Sequence, residues 1–368
     1  MGSEDAGSNY RRACAIGEKL GDSGEYFMAM WGHWMYDSTS GRLNQAAELA
    51  QHLVSLAQRL GNDEFVLQAH HARWTTYQLL GQASVARSDT QQGIHLYDRV
   101  RHRHHVHIYG GHDPGVCSRG NCGISLWLTG FPDQAVRLVQ EGIAIGREIE
   151  HPFSLAIAFV LAGYTYQFRG EAAACQAIAE EMIELSSRYG IRQMVGTGTL
   201  LMGWARMDAG ETESGLLLME QGLADLTATG TRAWFPYYLF LIAEAKARIG
   251  DLAQALAMTN KGLELAEQTT QGFFKPELWR AQAEYMHGLG QIDALGAKNR
   301  FEQAIALARE QSARSLEFRA VCSLARMLAG TSDAGWGRQL LDEGLRSFSE
   351  GQATRDLSAG QRILETLR

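Results

Sequence analysis

Between residues 101 and 117 the sequence reads RHRHHVHIYGGHDPGVC, which sets His102, His104, His105, His107 and His112 ahead of Cys117. Imidazole and thiolate are the donors that zinc and nickel accept, so metal chemistry, if this chain has any, belongs here. Structural zinc sites usually pair their ligands as CxxC or HxxxH, and the stretch has neither spacing. The plainer reading is a basic helix end, where Arg and His suit the negative pole of a helix, followed by a YGGHDPG turn whose Asp-Pro opens the next helix. The residue pattern favours that plainer reading. A metal-binding sensor or metal-dependent enzyme built on His102–His112 stands as the alternative.

Other chemistry leaves no local signature. The nearest approach to a phosphate-binding GxxxxGK[ST] loop is GETESGLL, which ends in Leu where Lys and Ser/Thr are needed. GxSxG, HExxH and CxxC are absent, and GTGTLLMG at 196–203 lacks the glycine spacing of a dinucleotide fold. No catalytic residue and no cofactor is therefore assigned, and the chain reads as a non-enzyme.

The elements that carry these residues follow a ruler. Gly41, Gly81, Gly130, Gly170, Gly210, Gly250 and Gly290 are spaced by 40, 49, 40, 40, 40 and 40 residues. Five residues after most of them stands a small side chain: Ala46, Ala86, Ala135, Cys175, Gly215 and Ala255. Seven residues before four of them stands another: Gly123, Gly163, Gly203 and Ala243. Small residues on either side of a tight turn are what two antiparallel helices need where their backbones approach. Segments such as DQAVRLVQEGIAIGREIE repeat apolar residues at three- and four-residue intervals, a helix period, and no alternating strand pattern occurs. The fold class is thus all-α. The small-gap-small spacing resembles the tetratricopeptide repeat (TPR) with lengthened helices, giving a superhelical solenoid of about eight hairpins with a period near 40 residues. The single long interval falls on the histidine stretch, which predicts a loop insertion over 101–112. A second insertion is expected over 291–299, and 331–368 is expected to act as a C-terminal capping segment. Residues 1–22 read as the end of a truncated preceding repeat, so that the chain is expected to start inside a longer array and to form a single solenoid domain over 1–368.

Composition narrows the function. A net charge of −7 supplies no basic field for nucleic acid. The longest apolar run, residues 154–168, is too short to span a bilayer, and no signal peptide is visible, so no membrane role and a cytoplasmic setting are expected. Five scattered cysteines fit reduced thiols better than a disulfide framework.

Residues 109–156, YGGHDPGVCSRGNCGISLWLTGFPDQAVRLVQEGIAIGREIEHPFSLA, resemble the C-terminal repeat region of bacterial signalling proteins that join a class III adenylate/guanylate cyclase, a signal-transduction ATPase and a TPR-like solenoid. The resemblance continues through REQSARSLEFRAVCSLARML at 309–328. It implies a bacterial sensor and interaction module that regulates cyclase and ATPase domains upstream in the same polypeptide. If TPR groove positions carry over, the concave lining comprises Trp31, His71, Trp127, Tyr164, Gln167, Trp204, Tyr237, Phe240, Glu244, Arg280, Glu284 and His287. The ligand expected there is a protein or peptide segment or a small effector, and an apolar end face gives a route to a homodimer.

Overall fold

A computed structural model describes residues 4–367. Helices alone form its regular structure: no strand occurs among the described residues. In chain order they are α1 (Glu4–Leu20), α2 (Gly24–Thr39), α3 (Leu43–Leu60), α4 (Asp63–Leu79), α5 (Ala83–Leu96), α6 (His105–Ile108), α7 (Pro114–Leu128), α8 (Pro132–Glu148), α9 (Pro152–Arg169) and α10 (Ala172–Arg188). They continue as α11 (Arg192–Asp208), α12 (Thr212–Ala228), α13 (Phe235–Arg248), α14 (Leu252–Thr269), α15 (Lys275–Gly288), α16 (Ala294–Glu310), α17 (Arg314–Leu328), α18 (Ala334–Arg346) and α19 (Arg355–Thr366). Eight hairpins run from α2/α3 to α17/α18, flanked by α1 and α19, with the one-turn α6 inside the insertion.

The punctuation is local chemistry. All five prolines stand in the first turn of a helix (Pro114, Pro132, Pro152, Pro236 and Pro276), where a missing N–H costs nothing. The ruler glycines end the first helix of the first seven hairpins in the left-handed region, for example Gly81 at φ 85° and Gly130 at φ 92°. At Gly130 the next amide, Phe131, donates back to the Leu126 carbonyl at 2.8 Å, closing a Schellman turn that only a residue free at positive φ starts cheaply. The paired small residues meet as expected. A Cβ built on Gly203 would lie 2.5 Å from the Gly215 carbonyl oxygen, so α11 and α12 touch backbone to backbone.

Two boundaries differ from the sequence reading. The segment 291–299 is loop only as far as Asp293, because the Asp293 side chain caps Gly296 N at 2.8 Å and starts α16 at Ala294. The 331–368 segment holds an ordinary second helix, α18, and then α19.

The first helices of successive hairpins pack on one another as an inner layer, with the second helices outside. The superhelix winds tightly enough for its turns to meet. Hairpin turns from the first half abut inter-hairpin turns from the second: Gly272 N donates to Leu79 O at 2.9 Å, Ser315 Oγ to Trp127 O, and Arg319 to Phe168 O at 2.7 Å. All three acceptors lie in the last turn of a helix, where carbonyls lack an intrahelical donor. Leftover backbone acceptors on one superhelical turn are thus satisfied by the next, and the inner face is divided into partly open chambers instead of one continuous groove.

Candidate functional site: two chambers inside the superhelix

The inner face carries two cavities. One, of about 210 Å³, is walled mainly by apolar and aromatic side chains, among them Trp34, His71, Val160, Tyr164, Trp234 and Tyr238. The other, about 240 Å³, is lined by Trp204, Phe240, Glu277, Arg280, Arg319 and Arg326 with their neighbours. Tyr237 links them. Its ring lies edge-on to Tyr164 at 5.5 Å, and its hydroxyl donates to Gln167, a wall of the charged chamber, at 2.9 Å. Phe168 and Phe274 pack behind it, and the three ring centroids lie 5.1 to 6.1 Å apart.

The charged chamber is organised by Glu277, which is only 2% exposed. Its carboxylate takes Arg280 at 2.9 Å and Arg319 at 3.4 Å. Burial alone would raise its pKa, but the two guanidinium groups outweigh that and hold the carboxyl below its ordinary value. Arg280 also meets Glu284 at 2.8 Å, and Arg319 meets Asp356 at 2.8 Å. Arg326 has a side chain 61% exposed, and Glu284 stands at 3.9 Å from it, the limit of an ion pair.

The twelve groove candidates are distributed unevenly. Gln167, Trp204, Phe240, Glu244 and Arg280 line the charged chamber; His71 and Tyr164 line the apolar one. Glu284 sits behind Arg280 and accepts from Ser323 Oγ at 2.6 Å. Trp31, Trp127 and Tyr237 are core side chains: Trp31 packs on Trp34 and Tyr109, each at 5.2 Å, and Trp127 stacks on Phe168 at 4.7 Å. His287 is exposed near the end of α15, with its ring at the Ile292 carbonyl, and lines neither chamber.

The histidine stretch divides. His102 folds back so that its Nδ1 accepts from Asp98 N at 2.9 Å. His104 is exposed and meets Glu64 at 3.3 Å, and His107 faces His151 at 6.5 Å on the outside. His105 is fully buried and joins a chain: Glu64 at 3.4 Å from its Nε2, then Gln68 Nε2 donating to its Nδ1 at 2.8 Å. Gln68 Oε1 accepts in turn from His71 Nδ1 at 3.0 Å, and His71 Nε2 faces Cys117 Sγ at 3.4 Å. His112 completes this group. The potential ligand atoms of His71, His112 and Cys117 all lie within 4.8 Å of one another, as do those of Glu64, His104 and His105. Burial lowers the His112 pKa to about 4 and pushes the Cys117 thiol up to about 12, so both are neutral near pH 7. His71 and Glu64 are the members that the sequence pattern did not bring to the histidine stretch. Only the packing of α4 against α7 and the insertion does so.

Comparison with known proteins places the architecture. No family model matches the chain. An uncharacterized protein of Rhizobium meliloti is 26% identical over 323 residues, which is 87% of this chain but 31% of that protein, so the chain spans about a third of its relative's length. Among solved structures, a Rap protein complexed with Competence and Sporulation Factor superposes with TM-score 0.59 at 10% identity, covering 94% of this chain and 98% of that one. The Rap conjugation gene regulator of plasmid pLS20, in complex with the Phr* peptide, gives 0.53 at 11% identity over 93% and 98%. The APC/C hetero-tetramer Cut9-Hcn1 gives 0.55 at 11% identity over 97% of this chain and 59% of its own. The fold is a TPR-like helical repeat. No helix among the described residues is long and apolar enough to cross a membrane.

Proposed function

We propose that this chain is a non-catalytic sensor module that binds a peptide or protein segment inside its superhelix and, through the longer polypeptide implied by the resemblance at 109–156, regulates cyclase and ATPase domains. The observation that carries this reading is the pair of chambers on the inner face, one aromatic and one arginine-rich, bridged by Tyr237. An apolar anchor beside a few oriented charges is the composition of a recognition site. Two solved structures of like fold are complexes of Rap proteins, one with Competence and Sporulation Factor and one with the Phr* peptide, which supports a peptide or protein ligand here. Arg326 lines the charged chamber with a side chain 61% exposed, and its carboxylate neighbour Glu284, at 3.9 Å, is shared with Arg280 at 2.8 Å, so the Arg326 guanidinium is the weakly held cation that can meet an acidic group of the ligand.

Selection of random peptides against the full chain, followed by titration calorimetry, tests this. Selected peptides should carry an aromatic residue and a carboxylate, and Arg326→Glu should weaken them at least tenfold. Peptides that bind wild type and Arg326→Glu alike would place recognition elsewhere.

A further inference from the structure

Three side chains from three separate pieces of the fold converge at one wall of the apolar chamber. His71 comes from the middle of α4, His112 from the GGHDPG turn, and Cys117 from the first turns of α7. Their second contacts decide which ring nitrogens are free. His71 Nδ1 faces the Gln68 carbonyl oxygen at 3.0 Å, and since Gln68 spends its amide N–H on His105, its oxygen is an acceptor and His71 Nδ1 carries the proton. His71 Nε2 is then a lone pair aimed at Cys117 Sγ. His112 Nδ1 faces the Gly110 carbonyl at 3.2 Å, which likewise puts its proton on Nδ1 and leaves Nε2 as a lone pair. A carbonyl behind each imidazole is the arrangement that orients metal-binding histidines.

The spacing suits an ion. A tetrahedral cation with bonds of about 2.1 Å to nitrogen and 2.3 Å to sulfur holds those atoms roughly 3.6 Å apart. His71 Nε2 and Cys117 Sγ are 3.4 Å apart. We propose that His71 Nε2, His112 Nε2 and Cys117 Sγ form a three-ligand site for a thiophilic d10 cation, zinc(II) or copper(I), with the remaining coordination position open to the apolar chamber. Two imidazoles and one thiolate are soft enough to prefer such ions over calcium or magnesium. On binding, the Cys117 S–H bond breaks, its proton passes to buffer, and a metal–sulfur bond forms, with no change of oxidation state. The ion would fasten the insertion to α4 and α7, so that its presence is coupled to the chamber's shape. This site stands independently of the peptide reading.

The test uses the full chain, prepared without a His tag and stripped of metal. Cobalt(II) is added first as a spectroscopic stand-in for zinc. One equivalent should produce thiolate-to-cobalt charge transfer in the near ultraviolet and a tetrahedral d–d band, with one proton released. Zinc, or copper(I) under anaerobic conditions, should displace it, and the tighter of the two names the resident ion. Cys117→Ser should abolish the charge-transfer band, His112→Gln should weaken binding by about 100-fold, and Gln68→Ala by about tenfold, the usual penalty for losing an orienting contact. His107→Ala, at an exposed position outside the chamber, should leave cobalt binding unchanged. Absence of a charge-transfer band in folded wild-type protein overturns the proposal whatever the variants do. So does stoichiometric binding without that band that is lost in His104→Ala, which would assign the ion to Glu64, His104 and His105.

Discussion

Glu350 caps helix α8, whose second residue, Asp133, lies 217 residues before it. Its carboxylate accepts from the backbone amide of Asp133 at 2.8 Å and from that of Gln134 at 2.9 Å, both in the first turn of α8. Asp133 reciprocates by accepting from Gly351 N at 2.9 Å. Helix starts expose N–H groups and a positive dipole end, and this one is satisfied by the following superhelical turn. Glu350→Ala should therefore destabilise the chain by about 1–2 kcal/mol, as loss of an N-cap does. Glu350→Gln, which keeps a neutral acceptor, should lose less. Urea unfolding midpoints check this, and coincidence of all three proteins would show that the turns do not support each other.

Two glycines seven residues apart do different work. Gly203 is in α11 against Gly215, and any Cβ meets backbone that cannot give way. Gly203→Ala should cost about 3 kcal/mol, the severe end of overpacking. Gly210 ends the same helix at φ 98° with nothing within 4 Å of a built Cβ. Gly210→Ala should cost about 1 kcal/mol from backbone strain alone. Equal losses would contradict the close helix crossing.

Glu277→Gln removes the anion shared by Arg280 and Arg319 and leaves buried positive charge. A loss of about 3–5 kcal/mol is expected, typical of breaking one side of a buried ion pair. The pH dependence has a fixed sign. The folded pKa of Glu277 lies below its ordinary 4.5, so its contribution is complete above pH 4.5 and fades as the pH falls below that value toward the folded pKa. Thermal melts of wild type should drop on acidification through that window, and Glu277→Gln should drop less steeply.

Tyr237 is a poor probe of binding because it is wholly buried. Tyr237→Ala should destabilise by about 3–5 kcal/mol through the cavity it leaves. Tyr237→Phe keeps the ring but strands the Gln167 oxygen, and about 1–2 kcal/mol should be lost. If Tyr237→Ala melts like wild type, the aromatic partition between the chambers is not structural. Arg326→Ala, at a largely exposed site, should leave the melt within about 0.5 kcal/mol.

The hairpins were legible because their signals are local. A left-handed glycine, a proline in a first helical turn and a small residue at a helix crossing each act within a dozen residues, so the ruler from Gly41 to Gly290 fixed helix type, period and turn positions. The expectation that 291–299 is a loop failed for a local reason too: the Asp293 cap outweighed the apparent interruption. The closure of the superhelix was not legible. It sums small rotations between hairpins, set by side-chain volumes along every interface, and no single residue announces it. The site inherited that limit. Groove positions transferred from an open solenoid coincide with Gln167, Trp204, Phe240, Glu244 and Arg280 of the charged chamber but miss its organising Glu277 and its Arg319 and Arg326, and they also chose Trp127 and Tyr237, which are buried, and His287, which lies outside. Among the histidines, composition alone marked the stretch, while neighbourhood sorted it. His102 and His112 look alike in sequence, but one turns inward to cap its own loop and the other meets His71 and Cys117, because α4 crosses α7 at that height. Sequence determined the helical class, the hairpin period and where the turns from Gly41 to Gly290 fall. Burial and long-range packing decided which polar side chains share a cavity, since proximity across 46 residues, as between His71 and Cys117, depends on the whole stack.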